Sequence, residues 1–312
     1  MTLTELRYIV ALNQTGHFGK AAEKCFVSQP TLSVAIKKLE DELHVAIFER
    51  SRSQVRATPL GQRIIQQAQT VLEQAKLITE LANSGQDPLG STLSIGAIFT
   101  VGPYLFPHFV PHLQKAAPAM PLYIEENYTA VLREKLRTGE LDAIVIALPF
   151  NEPDVVTQGL YEEPFVVLLP RDHPLTASKT ITPRQLEKEQ VLLMGEGHCF
   201  RDQVLNACPG LRKHLHSGKD PLQSVVEGSS LETLKYMVAS GLGITILPAS
   251  ATQLTQHISS SLTTRPLQHS ASKRTVALAW RASFPRHQAI DVLSQAIRKS
   301  QPGSQQLSNS AN

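Results

Sequence analysis

Phe18-Gly-Lys-Ala-Ala-Glu-Lys-Cys-Phe-Val-Ser-Gln-Pro-Thr-Leu-Ser-Val-Ala-Ile-Lys-Lys-Leu-Glu-Asp-Glu-Leu43 decides how the chain is read. Its spacing predicts two short helices joined by a tight turn. The first covers about Gly19–Lys24, where the small side chains of Ala21 and Ala22 let another helix approach closely, and Phe26-Val27 supplies the turn. Ser28 is a good N-cap, and Pro30, in the first turn, needs no amide hydrogen bond. In the helix so begun, Leu32, Ala35, Ile36, Leu39 and Leu43 share one face. The opposite face carries Pro30, Val34, Lys37 and Lys38, with Gln29, Thr31 and Ser33 near its N-terminal end. Upstream, Thr2 and Glu5 form a capping-box pattern, and Leu3, Leu6, Ile9, Val10 and Leu12 give the preceding helix an apolar face.

Polar side chains at the start of the second helix of such a pair can meet base edges in the major groove of double-stranded DNA. Just downstream, the hairpin-like stretch from Phe48 to Arg56 carries Arg50, Arg52 and Arg56, suited to a phosphate backbone. Lysines on a lone helix are most often a solvated face. Two short helices, a Ser-Gln-Pro-Thr-Leu-Ser start and an arginine-bearing hairpin in succession are far more specific. The run 18–43 followed by Phe48-Glu-Arg50 closely resembles the winged helix-turn-helix of LysR-type transcriptional regulators. The resemblance matches Gln29, Pro30, Thr31, Ser33 and Lys37 with the recognition helix, and Arg50 and Arg52 with the wing.

Composition sets the bounds. The chain has 312 residues, 42% hydrophobic and 18% charged, enough for two or three domains with cores of their own. No apolar run approaches the roughly 18 residues of a membrane span, and the first residues lack a signal-peptide pattern. A cytoplasmic protein with no membrane partner is expected. A net charge of +3, from 30 basic and 27 acidic residues, is too weak to indicate nucleic-acid binding unless the charges are clustered. Three cysteines, Cys25, Cys199 and Cys208, are too few for a disulfide framework, and none has zinc-site spacing. No metal or cofactor is expected, and Cys25 reads as a packing residue.

Beyond the helix pair, residues 59–84 form one long helical pattern with a heptad seam at Ile64, Ala68, Val71, Ala75, Ile78 and Ala82. The seam is short and alanine-rich. It fits either a helix lying on its own domain or a dimer contact. From Leu93 onward, strand candidates at Leu93, Leu122, Ala143–Leu148, Phe165–Leu169, Gly243–Leu247 and Thr275–Trp280 alternate with helix candidates at Ala130–Thr138, Ser230–Ser240 and Arg286–Lys299. That is the pattern of an α/β domain with a mostly parallel sheet.

The family resemblance implies the rest of the organisation. Residues 1–58 would be the winged helix-turn-helix, and 59–88 a linker and dimerisation helix with a hinge. Residues 89–300 would form a regulatory domain of two α/β subdomains similar to periplasmic solute-binding proteins, the chain crossing between them twice. Subdomain I would take about 89–162 and 269–300, and subdomain II about 163–268. The tail 301–312 has almost nothing to bury and is expected to be disordered. The resemblance also implies a homodimer assembling into a homotetramer, and RNA polymerase as a partner.

The informative segment of this domain is Gly197-His-Cys-Phe-Arg-Asp-Gln203, followed by Asn206-Ala-Cys208-Pro-Gly210. A thiol becomes reactive where cations or a helix N-terminus stabilise its thiolate, and Cys199 has His198 beside it, Arg201 near and a helical stretch starting there. Asp202 acts against this locally. If 199–208 is continuous helix, the two cysteines lie about 13 Å apart, too far for a disulfide without refolding. For two arbitrary cysteines, burial as small apolar residues would be the ordinary reading. This context, however, resembles the hydrogen-peroxide-sensing members of the LysR family. That resemblance implies Cys199 as the peroxidatic residue, Cys208 as the resolving one, and a peroxide pocket of Thr100, Thr129, His198, Cys199, Asp202 and Arg274. One departure is the stretch from Cys208 to Ser230, longer than in such sensors and carrying Arg212-Lys213-His214.

The resemblance therefore implies a regulator that senses hydrogen peroxide through a reversible Cys199–Cys208 disulfide and controls antioxidant genes in oxidative stress. A LysR-type regulator answering a small metabolite, with incidental cysteines, is the alternative. An enzyme, specifically a thiol peroxidase, would leave residues 18–56 without a purpose. The chain also lacks a dinucleotide fingerprint, a Walker loop and a nucleophile elbow.

Overall fold

The computed structural model describes residues 1–50, 55–84, 89–212, 230–253, 259–268, 271–300 and 305–306. The chain divides into two compact units, Met1–Gln86 and Asp87–Asn312.

The first unit packs α1 (Leu3–Thr15), α2 (Phe18–Lys24) and α3 (Gln29–Leu43), a two-strand wing of β1 (Phe48–Arg50) and β2 (Val55–Ala57), and the long α4 (Pro59–Ser84). The local signals act as the sequence indicates. Thr2 and Glu5 form the capping box of α1, and the Ser28 hydroxyl caps α3 with Pro30 in the first turn. Leu6, Ile9, Leu12, Ala21, Ala22, Leu32, Ile36 and Leu39 form the core, joined by Ile65 and Ala68 of α4. Glu40 fastens the wing to α3, its Oε1 accepting from the Ile47 and Phe48 amides at 2.8 and 3.0 Å. Along the seam of α4, Ala68 is buried whereas Ile78 is 70% exposed. Cys25 packs partly buried against the core. Arg52 and Ala82's side chain lie outside the described residues.

The second unit holds two apolar cores on one continuous set of strands. Its elements are β3 (Leu93–Ile98), α5 (Gly102–Ala116), β4 (Leu122–Asn127), α6 (Thr129–Arg137), β5 (Ala143–Ala147), β6 (Val155–Pro170), α7 (Pro183–Leu186) and β7 (Val191–Leu192). They are followed by α8 (Cys199–Ala207), α9 (Leu231–Ala239), β8 (Ile244–Pro248), β9 (Leu262–Pro266), β10 (Lys273–Arg281) and α10 (His287–Lys299). The strand order is β4-β3-β5-β10-β6-β8-β7, with β9 also on β6. One core collects β3, β5, α5 and α10; the other collects the second half of β6, α8, α9 and β8.

The expectation of a mostly parallel sheet is corrected. Pairs β3–β4, β3–β5 and β7–β8 are parallel, but β10 runs antiparallel to β5 and β6, and β6 antiparallel to β8 and β9. The cause is the double crossing. β6 leaves the first core as β10 returns to it, so two adjacent strands must run in opposite directions. β6 is 16 residues long because it serves both cores, and only its apolar second half was legible as a strand. The tail is corrected too: Gln305 and Gln306 form a short strand, β11, on Glu162 and Tyr161. Ladder bonds come from the backbone and need no apolar side chain. The remainder of 301–312 lies outside the described residues, as do the hinge residues 85–88 and Lys213 and His214.

Candidate functional site

In the first unit, burial of Leu32, Ile36 and Leu39 turns the other side of α3 outward. Gln29, Pro30, Thr31, Lys37 and Lys38 are exposed, Ser33 is half-buried and Val34 is 68% exposed. Arg50 ends β1.

In the second unit, three helices begin at one place. Phe99 precedes Thr100 and α5, Tyr128 is the N-cap residue of α6, and His198 is the N-cap residue of α8. Their rings meet, with centroids 5.2 Å apart for Phe99 and Tyr128, 4.7 Å for Tyr128 and His198, and 5.9 Å for Phe99 and His198. None of the three helices has a side-chain cap. Their first-turn N–H groups thus lend the cluster partial positive charge, offset in part by Asp202 in the first turn of α8 and by the Glu126 carboxylate beside Gly102 at the start of α5. Gly197 makes the approach possible. Its φ of +87° suits glycine, and a Cβ there would press on the Tyr128 ring at 3.3 Å.

Thr129 opens α6, and its buried Oγ1 has no hydrogen-bond partner among the described residues. A buried hydroxyl in that condition is a position for a ligand or water. Thr100 differs: its Oγ1 accepts from Arg274 Nη1 at 2.9 Å and its carbonyl from Nη2 at 2.8 Å. Arg274 also donates to Glu163 Oε2 at 2.7 Å, lies 5.3 Å from the Phe200 ring, and is fully buried together with the carboxylate. One guanidinium on β10 therefore ties the start of α5, the middle of β6 and α8. This makes Arg274 a structural tie across the two cores.

Cys199 is the first residue of α8, packed against the first core, and Cys208 is the C-cap residue of the same helix, wholly buried in the second. Burial, with Glu187 nearby, pushes the Cys208 thiol up to about 11. Helix is continuous between the two cysteines, so their α-carbons are about 13 Å apart at 1.5 Å per residue. Two expectations for the local chemistry are adjusted. Arg201, two residues on and off the Cys199 face of the helix, is buried and donates to the Met194 carbonyl at 2.8 Å. Asp202 shares a helix face with Cys199 but is exposed to solvent.

Residues 86–302 match the LysR substrate binding domain, and residues 3–62 match the bacterial regulatory helix-turn-helix protein, lysR family. The chain belongs to the LysR family. It is 36% identical over 303 residues, 97% of each chain, to the DNA-binding transcriptional dual regulator OxyR of Escherichia coli K12. It is also similar to OxyR variants of known structure, one of them full-length. The one from Pseudomonas aeruginosa is 57% identical with a TM-score of 0.76, covering 98% of this chain and 99% of that one. A hydrogen peroxide-bound Corynebacterium glutamicum mutant is 30% identical with a TM-score of 0.59, covering 96% and 92%.

Within this LysR-family regulatory unit, several cross-core contacts escaped the sequence reading. Phe99 and Tyr128 are not among the expected pocket residues, although each immediately precedes one of its threonines, an aromatic-threonine pairing visible in the sequence. Glu163, which lies 111 residues from Arg274 in sequence, gave none. Gln203 Nε2 reaches the Leu148 carbonyl at 3.3 Å from α8. Tyr104 on α5 donates to Glu232 on α9 at 2.9 Å, and Glu232 pairs with buried Lys235 at 2.6 Å.

Proposed function

We propose that this LysR-family chain is a DNA-binding transcription regulator that senses hydrogen peroxide through Cys199 and Cys208 and controls antioxidant genes. The observation that carries the reading is the position of Cys199 at the open N-terminus of α8, inside a cluster of three such helix starts. First-turn N–H groups at such a helix start point at whatever anion forms there. The thiolate attacks one peroxide oxygen, the O–O bond breaks, and the leaving hydroxide takes a proton to become water, giving a Cys199 sulfenic acid. Thr129 would donate to the peroxide, with Thr100, His198, Asp202 and Arg274 forming and holding the rest of the pocket. Cys208 then attacks the sulfenic sulfur, forming a disulfide and releasing a second water. A disulfide needs α-carbons within about 7 Å, so α8 must open, and a redox event becomes a conformational one. A cellular dithiol would reverse the step. Consumption of peroxide is stoichiometric, not enzymatic turnover.

Gln29, Pro30, Thr31, Ser33 and Lys37 would read a major groove of double-stranded DNA, with Arg50 and Arg52 on its backbone. The exposed stretch of the α4 seam would pair two subunits, two dimers would form a tetramer, and the oxidised form would recruit RNA polymerase in the cytoplasm. Brief exposure of the reduced protein to a slight excess of hydrogen peroxide, alkylation and disulfide mapping test the reading. A Cys199–Cys208 bridge within seconds is expected in the wild type and none in Cys199→Ser, which should still fold and bind DNA. Two free thiols would reject it. The open helix starts and the Thr129 hydroxyl would also suit a small anionic metabolite, and tight metabolite binding with inert thiols would favour that second reading.

A further inference from the structure

Helix α2 ends in a turn whose hydrogen bonds are those of a Schellman motif: the Val27 amide donates to the Ala22 carbonyl at 3.0 Å and the Phe26 amide to the Glu23 carbonyl at 3.1 Å. The residue at the heart of such a motif must be left-handed, and Phe26 has φ +57°. Glycine or asparagine is the usual occupant, because a Cβ is crowded there. At the other helix ends of this kind the chain uses Gly16 after α1 and the polar His44 after α3, and among the described residues the remaining non-glycine residue with positive φ is the polar Asp154. Phe26 is the apolar exception among the described residues, and it gains nothing from burial in return, being 95% exposed. Both the backbone and the side chain would favour a different residue, so stability alone does not account for phenylalanine here. Strain retained at an exposed position points to a contact made outside the folded chain.

The location narrows the partner. Phe26 is two residues before the Ser28 cap and three before Gln29, at the end of α3 that enters the groove in a helix-turn-helix. Its exposed surroundings are Lys24, Ser28, Gln29 and Pro30. On α3 itself Val34, 68% exposed, stands on the same outward face as Pro30 and Lys37. The outward surface thus combines cations, hydrogen-bonding side chains and apolar atoms. A duplex offers matching groups: phosphates, base edges, and the apolar thymine methyls and deoxyribose faces.

We propose that Phe26 is a DNA-contact residue whose ring packs on thymine methyl or deoxyribose carbons at the edge of the groove occupied by α3. The inference rests on the DNA-binding reading above. The contact adds affinity that salt does not screen, unlike that of Lys37, whose ammonium would displace counterions from the backbone.

Full-length wild type, Phe26→Asn, Phe26→Gly and Phe26→Tyr are compared on duplexes that the wild type selects from a random pool, by fluorescence anisotropy at several salt concentrations, together with thermal unfolding. Phe26→Asn and Phe26→Gly are expected to bind about five- to tenfold more weakly with an unchanged slope of log affinity against log salt. Both should unfold a few degrees higher as the turn relaxes. Phe26→Tyr should bind like wild type. Deoxyuridine in place of thymidine separates the two apolar sources: a matching loss in wild type assigns the methyl, and no loss assigns the sugar. Wild-type affinity in both Asn and Gly variants overturns the proposal, as does weakened binding accompanied by a lower unfolding temperature. If the wild type selects no duplex, the DNA-binding reading itself fails and takes this contact with it.

Discussion

The two units of the chain finish their helices differently. In Met1–Gln86, α1 is closed by Thr2 and Glu5, α2 by the His17 ring and α3 by Ser28. In the regulatory unit, α5, α6 and α8 start with no side-chain cap, although α9, capped by Ser230, shows that the same unit can supply one. α10 also starts uncapped, but its N-cap residue Arg286 is occupied with the Ser91 and Thr92 carbonyls. The difference separates two uses of a helix end. Closed ends settle the local backbone and make a rigid reading head. Open ends gathered under three aromatic rings keep N–H groups available for an anion, and Cys199 is the first residue of one of them.

Removing the tie that holds the open ends together should have the largest effect. Arg274→Ala leaves buried Glu163 without its cation and is expected to destabilise the regulatory unit by about 3–5 kcal/mol. Calorimetry should show the transition of the N-terminal unit unmoved. Equal losses in both transitions would break the contrast between the units. Next is alkaline pH. Because burial lifts the Cys208 thiol from 9.0 to about 11, the stability contributed by its neutral form is complete below pH 9. It then falls by about 1.4 kcal/mol per pH unit as pH rises toward the folded value. Denaturant titrations of wild type and Cys208→Ala from pH 8 to 11 should show that slope in the first and its absence in the second. Smaller still, Ser28→Ala should cost the N-terminal unit about 1 kcal/mol. Its counterpart sharpens the comparison. Thr129→Val removes a hydroxyl with no hydrogen-bond partner among the described residues, so unfolding should shift by less than about 0.5 kcal/mol while Cys199 oxidation slows about tenfold or more.

The same division explains what could be read before the structure. The helix pair, its capping box, the Ser28 start and the alternation of strands and helices are written within short windows, where spacing and cap chemistry determine local structure. Long-range matters were not. The mixed sheet arises because β6 and β10 cross between cores in opposite directions, a property of topology and not of either strand's composition. The family likeness points to Arg274, but its carboxylate Glu163 sits on another strand across the ladder. Arg201 shows the limit of sequence proximity, since a cation two positions from a thiol turned to the Met194 carbonyl.

The length of α8 also sets a clock. A thiol at each end of a nine-residue helix means that, on the peroxide-sensing reading, oxidation and bridge formation cannot happen together. The sulfenic acid at Cys199 persists for as long as the helix stays wound, and the opening of α8 against its own core becomes the waiting time of the response. Whatever steadies Phe200, Val204 and Leu205 in that core lengthens the delay. During it a small cellular thiol can reach the oxidised sulfur first, so brief exposures can be cancelled and sustained ones recorded.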